Sequence, residues 1–217
     1  MTFGKQINRL TLCSLLGYGI FMHGPPEPSY ACEQSLNATQ LQSIKNDPLS
    51  LDTIMENLGQ ATIREQPFHE TYYSGMLTTP SYKEGTLVFH PPARLEKHVR
   101  VPTEESFIAN GDTLFYENPS REISRTFSLQ EYPALATLIE GLRSLFNGDK
   151  EALRQFFNVS IAGTPEAWTL DLSPIIQDEE DGLNCIRLAG QQAHLQSISI
   201  QEINGDRSEL QLDPQMP

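Results

Sequence analysis

The sequence predicts a mainly β protein in which a curved antiparallel sheet is plugged on one face by three amphipathic helices. Three observations predict it. Short runs of alternating apolar and polar residues, separated by Pro and Gly, fill 62–127 and return over 159–212. Helical spacing of apolar residues is confined to 51–58 and 135–157. The strand–helix–strand rhythm that marks a parallel sheet is missing. The 217 residues suit one domain, long enough to bury a substantial core. Lys and Arg number 15 against 28 Asp and Glu, a net charge of −13. Such acidity argues against a phosphate-backbone binder, which needs clustered cations to displace counterions.

The N-terminus reads as an export signal. Lys5 and Arg9 precede Leu10–Met22, an uncharged apolar run of 13 residues. Spanning a bilayer takes about 20. A Pro-rich stretch follows and ends in Ser29-Tyr30-Ala31, with small residues placed for cleavage after Ala31. This predicts a signal peptide over 1–31 and a mature domain over 32–217. The competing reading, an anchor or buried first helix, is disfavoured by Gly17, Gly19 and the prolines. Cleavage removes Cys13 and leaves Cys32 and Cys185 in an oxidising compartment. A Cys32–Cys185 disulfide is the favoured reading. The alternatives are lipidation of Cys32, whose preceding residues lack the usual lipobox Leu, and two free thiols.

Asp47-Pro48 reads as an N-cap with proline at the first helical position, followed by Leu51, Ile54, Met55 and Leu58 and a stop at Gly59. From Thr62 to Phe127 the period falls to two. Asn110-Gly111-Asp112 is a tight hairpin turn, because Asn and Gly tolerate positive φ. Pro80, Pro91-Pro92, Pro102 and Pro119 lie between the runs, where a missing amide donor does little harm. Leu135, Leu138, Ile139, Leu142, Leu145 and Phe146 then repeat with helical spacing after Pro133, and Asn147-Gly148 ends them. Asp149 caps a further helix carrying Leu153, Phe156 and Phe157. Strands resume with Val159 and Ile161, Trp168 to Leu172, Leu183 to Leu188, Leu195 to Ile203 and Ser208 to Leu212, with Asn204-Gly205-Asp206 as another turn. The total is about ten strands and three helices. A sheet of that size must curl, close or split. Three helices cannot cover both its faces, so they plug the concave one. A loose plug leaves an apolar cavity.

Catalytic and metal motifs are missing. His69-Glu70 has no second His four residues on. His90, His98 and His194 stand alone. No G-x-S-x-G elbow, C-x-x-C pair or phosphate-wrapping glycine loop occurs. The acidic run Asp178–Asp181 lacks the alternating ligands of a calcium loop and reads as solvated. The expectation is no enzyme, no cofactor and no metal. Arg94, Glu96, His98 and Arg100 alternate on one strand face, favoured as a solvated outer face over a positive rim. Leu87 and Phe89, and Trp168, Leu170 and Leu172, each share a face that suits core or cavity lining equally.

Phe68-His69-Glu70, then Gly85-Thr86-Leu87 running to Pro91-Pro92, Arg94-Leu95, Pro102 to Ile108 and the hairpin Asn110 to Tyr116 form an ordered series. Phe157-Asn158-Val159 and Trp168-Thr169-Leu170-Asp171-Leu172-Ser173-Pro174 extend it. The series resembles the LolA family, periplasmic carriers of outer-membrane lipoproteins, over about Leu49 to Leu212. Arg143 to Asp149 looks closer to a LolA-related branch associated with lipid-like products. The resemblance implies an incomplete β-barrel with a helical lid over an acyl-binding cavity. It implies a soluble, monomeric periplasmic carrier of a lipoprotein or lipid, passing cargo from an inner-membrane donor to an outer-membrane acceptor. Candidate lining residues are Leu87, Phe89, Leu95, Phe107, Phe115, Trp168, Leu170 and Leu172. Alternatives are an outer-membrane acceptor lipidated at Cys32 and a periplasmic sensor module. The family's carrier has an Arg just before the strand-ending proline. Here the aligned residue is His90 or Pro91, so lid control and lipoprotein cargo are the parts of the likeness this departure touches.

Overall fold

The computed structural model describes residues 49–59, 64–176 and 182–214. Eleven antiparallel strands among them form one open, curved sheet: β1 (Arg64–Tyr73), β2 (Ser81–His90), β3 (Arg94–Val101), β4 (Glu105–Asn110), β5 (Thr113–Asn118), β6 (Ile123–Ser128), β7 (Phe157–Thr164), β8 (Ala167–Pro174), β9 (Leu183–Gln191), β10 (His194–Glu202) and β11 (Arg207–Leu212). The spatial order is β6-β5-β4-β3-β2-β1-β11-β10-β9-β8-β7, so the first six strands form one meander and the last five another. They join where β1 pairs with β11, Phe68 opposite Leu212 and Glu70 opposite Leu210. Edges remain at β6 and β7, and the barrel stays incomplete.

Helices α1 (Leu51–Gly59), α2 (Pro133–Asn147) and α3 (Lys150–Phe156) lie over the concave face and pack on one another. Helix α1 starts later than Asp47-Pro48 predicts. The Ser50 hydroxyl accepts from the Thr53 amide (3.1 Å) and so occupies the capping position; Asp47 and Pro48 lie outside the described residues. Helix α2 ends as expected, on Gly148 at φ 70°. The Asp149 carboxylate caps α3 by accepting from the Ala152 amide (2.9 Å). Phe157 belongs to β7 rather than to α3. Gly111 (φ 53°) and Gly205 (φ 90°) make the two hairpin turns.

Side-chain alternation sorts the two faces. The large cluster under the helices contains Ile54, Leu58, Leu145, Leu153, Phe157, Trp168, Leu170 and Leu172. Trp168, the sole tryptophan, is almost fully buried, and its indole N–H donates to the Gln192 carbonyl (3.0 Å). Its emission is therefore expected to be blue-shifted and resistant to iodide quenching until urea unfolds the chain. Iodide quenching of native protein comparable to that of the unfolded chain would contradict this burial.

The Arg94–Arg100 face is largely solvated, as expected: Arg100 is exposed, and Arg94 and His98 keep 42% and 39% of their side-chain surface in water. Glu96 is only 10% exposed at its side chain and gathers Arg94 (2.6 Å), His98 (2.7 Å) and His90 (3.2 Å). Burial acts to raise the Glu96 carboxyl, but the Arg94 and His98 hydrogen bonds outweigh it and hold the group below its ordinary value. His90 and His98, which stand alone in the sequence, meet here because β2 and β3 are neighbours. Glu96 offsets the cations of this face, which is not a positive rim.

Candidate functional site

The concave face is not filled evenly. Helices α1 and α3 and the C-terminal part of α2 cover one half, while α2 alone reaches over the other. Between α2 and the sheet lies an apolar cavity of about 140 Å³. The helix contributes a stripe, Leu135, Leu138, Ile139, Leu142 and Phe146, spaced so that all fall on one side. The sheet contributes rows set by register. Phe89 lies opposite Leu95, Leu95 opposite Ala109, and Ala109 opposite Leu114. Leu87 lies opposite Lys97, and Lys97 opposite Phe107. Leu195, Ile198, Ile200, Leu210 and Leu212 complete the wall from β10 and β11. The small side chains of Ala109 and Ala134 add little bulk to this lining.

Of the residues expected to line a cavity, Leu87, Phe89, Leu95 and Phe107 border it. Phe115 does not. Its neighbour Leu114 does, and one step along a strand turns a side chain to the other face, where Phe115 lies opposite Ile108. Trp168, Leu170 and Leu172 do not border it either. They belong to the packed cluster where the helices close down on β8. The α2 stripe was legible as an amphipathic helix, and the plug argument already required its apolar side to face the space. Leu114 and the β10–β11 residues carried no signal beyond alternation.

The cavity wall has a polar sector. Lys97 borders it, and its ammonium pairs with Glu70 (2.7 Å), whose side chain is fully buried. Ser208 donates its hydroxyl to the other Glu70 oxygen. Lys83 pairs with Glu105 (2.8 Å), which also accepts from Tyr116 (3.2 Å) and Asn118 (3.0 Å). Burial pushes the Lys97 ammonium below the ordinary lysine range, opposed by the Glu70 carboxylate. Burial, with Glu105 beside it, holds the Tyr116 phenol above its ordinary value. Glu70 is the acidic residue of the Phe68-His69-Glu70 motif, and the Lys97 ammonium also lies over the Phe68 ring (5.3 Å).

Among the described residues no group of three or more His, Cys, Asp or Glu is placed to hold a metal ion. No described helix is long and apolar enough to cross a membrane. Cys185 is buried in β9 with its sulfur in a disulfide. Cys32, its expected partner, and the expected signal segment 1–31 lie outside the described residues, as does the acidic run Asp178–Asp181.

A curved, open sheet with helices over its hollow and an apolar space between them defines a LolA-like class of binding module. Residues 44–213 match the family model described as outer membrane lipoprotein carrier protein LolA-like, and the chain belongs to that family. Members are binding and carrier proteins of the extracytoplasmic space. No curated protein matches the sequence. Among solved structures, a LolA superfamily protein from Nitrosomonas europaea aligns at 10% identity and a TM-score of 0.41, over 78% of this chain and 96% of that one. A chain of the Pseudomonas aeruginosa MucA/MucB complex aligns at 12% identity and 0.38, over 75% and 53%. A chain of the Clostridioides difficile complex of the CwlD amidase with the GerS lipoprotein aligns at 13% identity and 0.35, over 69% and 82%.

Proposed function

We propose that the protein is an exported periplasmic carrier that shields the acyl chains of a lipoprotein or lipid-like product between α2 and the sheet, on the way from an inner-membrane donor to an outer-membrane acceptor. The apolar cavity under α2 is the observation that carries this reading. Each methylene moved from water into it contributes roughly 0.8 kcal/mol. The part of an acyl chain that enters thus regains a share of what it loses on leaving a bilayer. Native mass spectrometry of protein purified after export tests the proposal. The expected result is a bound lipid mass. Protein that carries no lipid and takes up no neutral fluorescent acyl ester would sink it. The same spectrum, read before and after reduction, tests cleavage after Ala31 and a Cys32–Cys185 bridge; an acyl adduct on Cys32 would show tethering instead.

Release needs α2 to move, and two tethers hold it. Arg143 donates to the Gly111 carbonyl in the β4–β5 turn (2.9 Å), and Asn147 donates to the Pro92 carbonyl in the β2–β3 turn (2.8 Å). The tethers run from helix to turns, in place of the strand arginine missing at His90 and Pro91. Replacing both Arg143 and Asn147 by Ala is expected to raise amide exchange across Pro133–Asn147 and to speed ligand exchange about tenfold, since a charge-assisted hydrogen bond is worth about 1.5–3 kcal/mol. Unchanged exchange in α2 would show that the tethers do not hold the lid.

A further inference from the structure

We propose that the cavity admits acyl chains joined to their cargo through an uncharged ester or amide and turns away free fatty-acid anions. This deepens the carrier reading and rests on it. The argument is one of charge balance at the polar sector. Among the described residues Lys97 is the only cationic one bordering the cavity. Its charge is matched by Glu70 at 2.7 Å, and that of its neighbour Lys83 by Glu105 at 2.8 Å. Two ammonium and two carboxylate groups cancel in a sector with little access to water. A carboxylate entering beside Lys97 finds its ammonium already paired with Glu70 behind the wall, and no cation in surplus. To pair with Lys97 it must displace Glu70, which then stays buried without a partner charge.

Gln66 points to the same selection. It also borders the cavity, and its amide donates to the Leu195 carbonyl (3.2 Å) and the Asp213 carbonyl (2.8 Å). Both N–H groups are thereby committed, which leaves its carbonyl oxygen, an acceptor. An acceptor pairs with an amide N–H or a hydroxyl and repels a carboxylate. An acid must then enter protonated. A carboxyl with an ordinary pKa near 4.3 is protonated in only about one molecule in 500 at pH 7. A selectivity of about a hundredfold for the uncharged chain follows.

The experiment displaces N-phenyl-1-naphthylamine from the delipidated full-length protein at pH 7, using two competitors of equal chain length. One is monolauroylglycerol, an uncharged ester with free hydroxyls; the other is laurate. The expected result is displacement by the ester at a concentration about a hundredfold lower. Laurate that competes equally or better overturns the selectivity while leaving the carrier reading standing. Failure of the naphthylamine and both competitors to bind overturns both. Glu70→Gln keeps a hydrogen-bonding side chain but frees the charge of Lys97, so laurate is expected to gain at least tenfold relative to the ester. The further change Lys97→Met restores neutrality and is expected to remove that gain. A folded Glu70→Gln protein with no gain for laurate overturns the charge-balance argument. If that variant does not fold, the comparison on unaltered protein still decides.

Discussion

Gly85→Ala is expected to leave the protein largely unfolded or to cost on the order of 3 kcal/mol or more. A Cβ built at Gly85 lies 1.9 Å from the His98 carbonyl oxygen and 2.9 Å from both the His98 carbonyl carbon and the Val99 Cα. All three are backbone atoms of the adjacent strand, so no rotamer change relieves the clash. Only parting β2 from β3 can do so. Gly85 sits where the register between these strands shifts, opposite Phe68 on one side and Val99 on the other. Against a total stability of roughly 5–15 kcal/mol, this is a large loss. Gly75→Ala is the control, because its Cβ would meet nothing within 4 Å. Urea denaturation followed by circular dichroism separates the two. A Gly85→Ala protein as stable as Gly75→Ala would show that the strands part at little cost. The Gly of the Gly85-Thr86-Leu87 motif is thus a steric requirement of the cavity wall, since Leu87 and Phe89 on β2 face Lys97 and Leu95 on β3.

Glu70→Ala is expected to destabilise the protein by about 3–5 kcal/mol, the usual penalty for leaving one partner of a buried ion pair behind. The substitution strips Lys97 of its 2.7 Å counterion and Ser208 of its acceptor in one step. The ammonium is then held among Phe68 and the cavity wall, with its nearest compensating carboxylate already engaged by Lys83. Lys97→Met in the same background is expected to recover most of the loss, because an apolar side chain of similar length suits that surrounding. Chemical denaturation of the single and double variants forms the check. A double variant no more stable than Glu70→Ala alone would mean that the loss comes from Ser208 or from packing, and not from an orphaned charge.

These two residues also show how far the chain could be read in advance. The helices and turns were legible because their signals are local. Apolar spacing marks α2, Gly148 ends it, Asp149 opens α3, and Asn110-Gly111 turns β4 into β5. The start of α1 was misplaced because Asp47-Pro48 and Ser50 both suit a cap, and only geometry shows which hydroxyl or carboxylate reaches an amide. Lys97 shares its strand face with Leu95 and Val99. Its partner lies 27 residues back on β1, with β2 between them. Nothing local to either residue announces that pairing. Glu96 drew its histidines together for the same reason.

The division between cavity and core was the least legible part. Leu87 and Phe89 alternate on β2 as Leu170 and Leu172 do on β8. Period-2 spacing says only that the members of each pair share one face of their strand. The first pair borders the space and the second is sealed into the cluster, because α1 and α3 pack over one half of the sheet while α2 alone reaches over the other. The residues by themselves determined a curved antiparallel sheet, its turns, its three helices and an apolar face on its strands, since each of these follows from alternation, helical spacing and backbone preference within a few neighbours. Which part of that face stays open, and the buried neutral sector beside it, were decided by tertiary structure, because both depend on contacts between segments far apart in the chain.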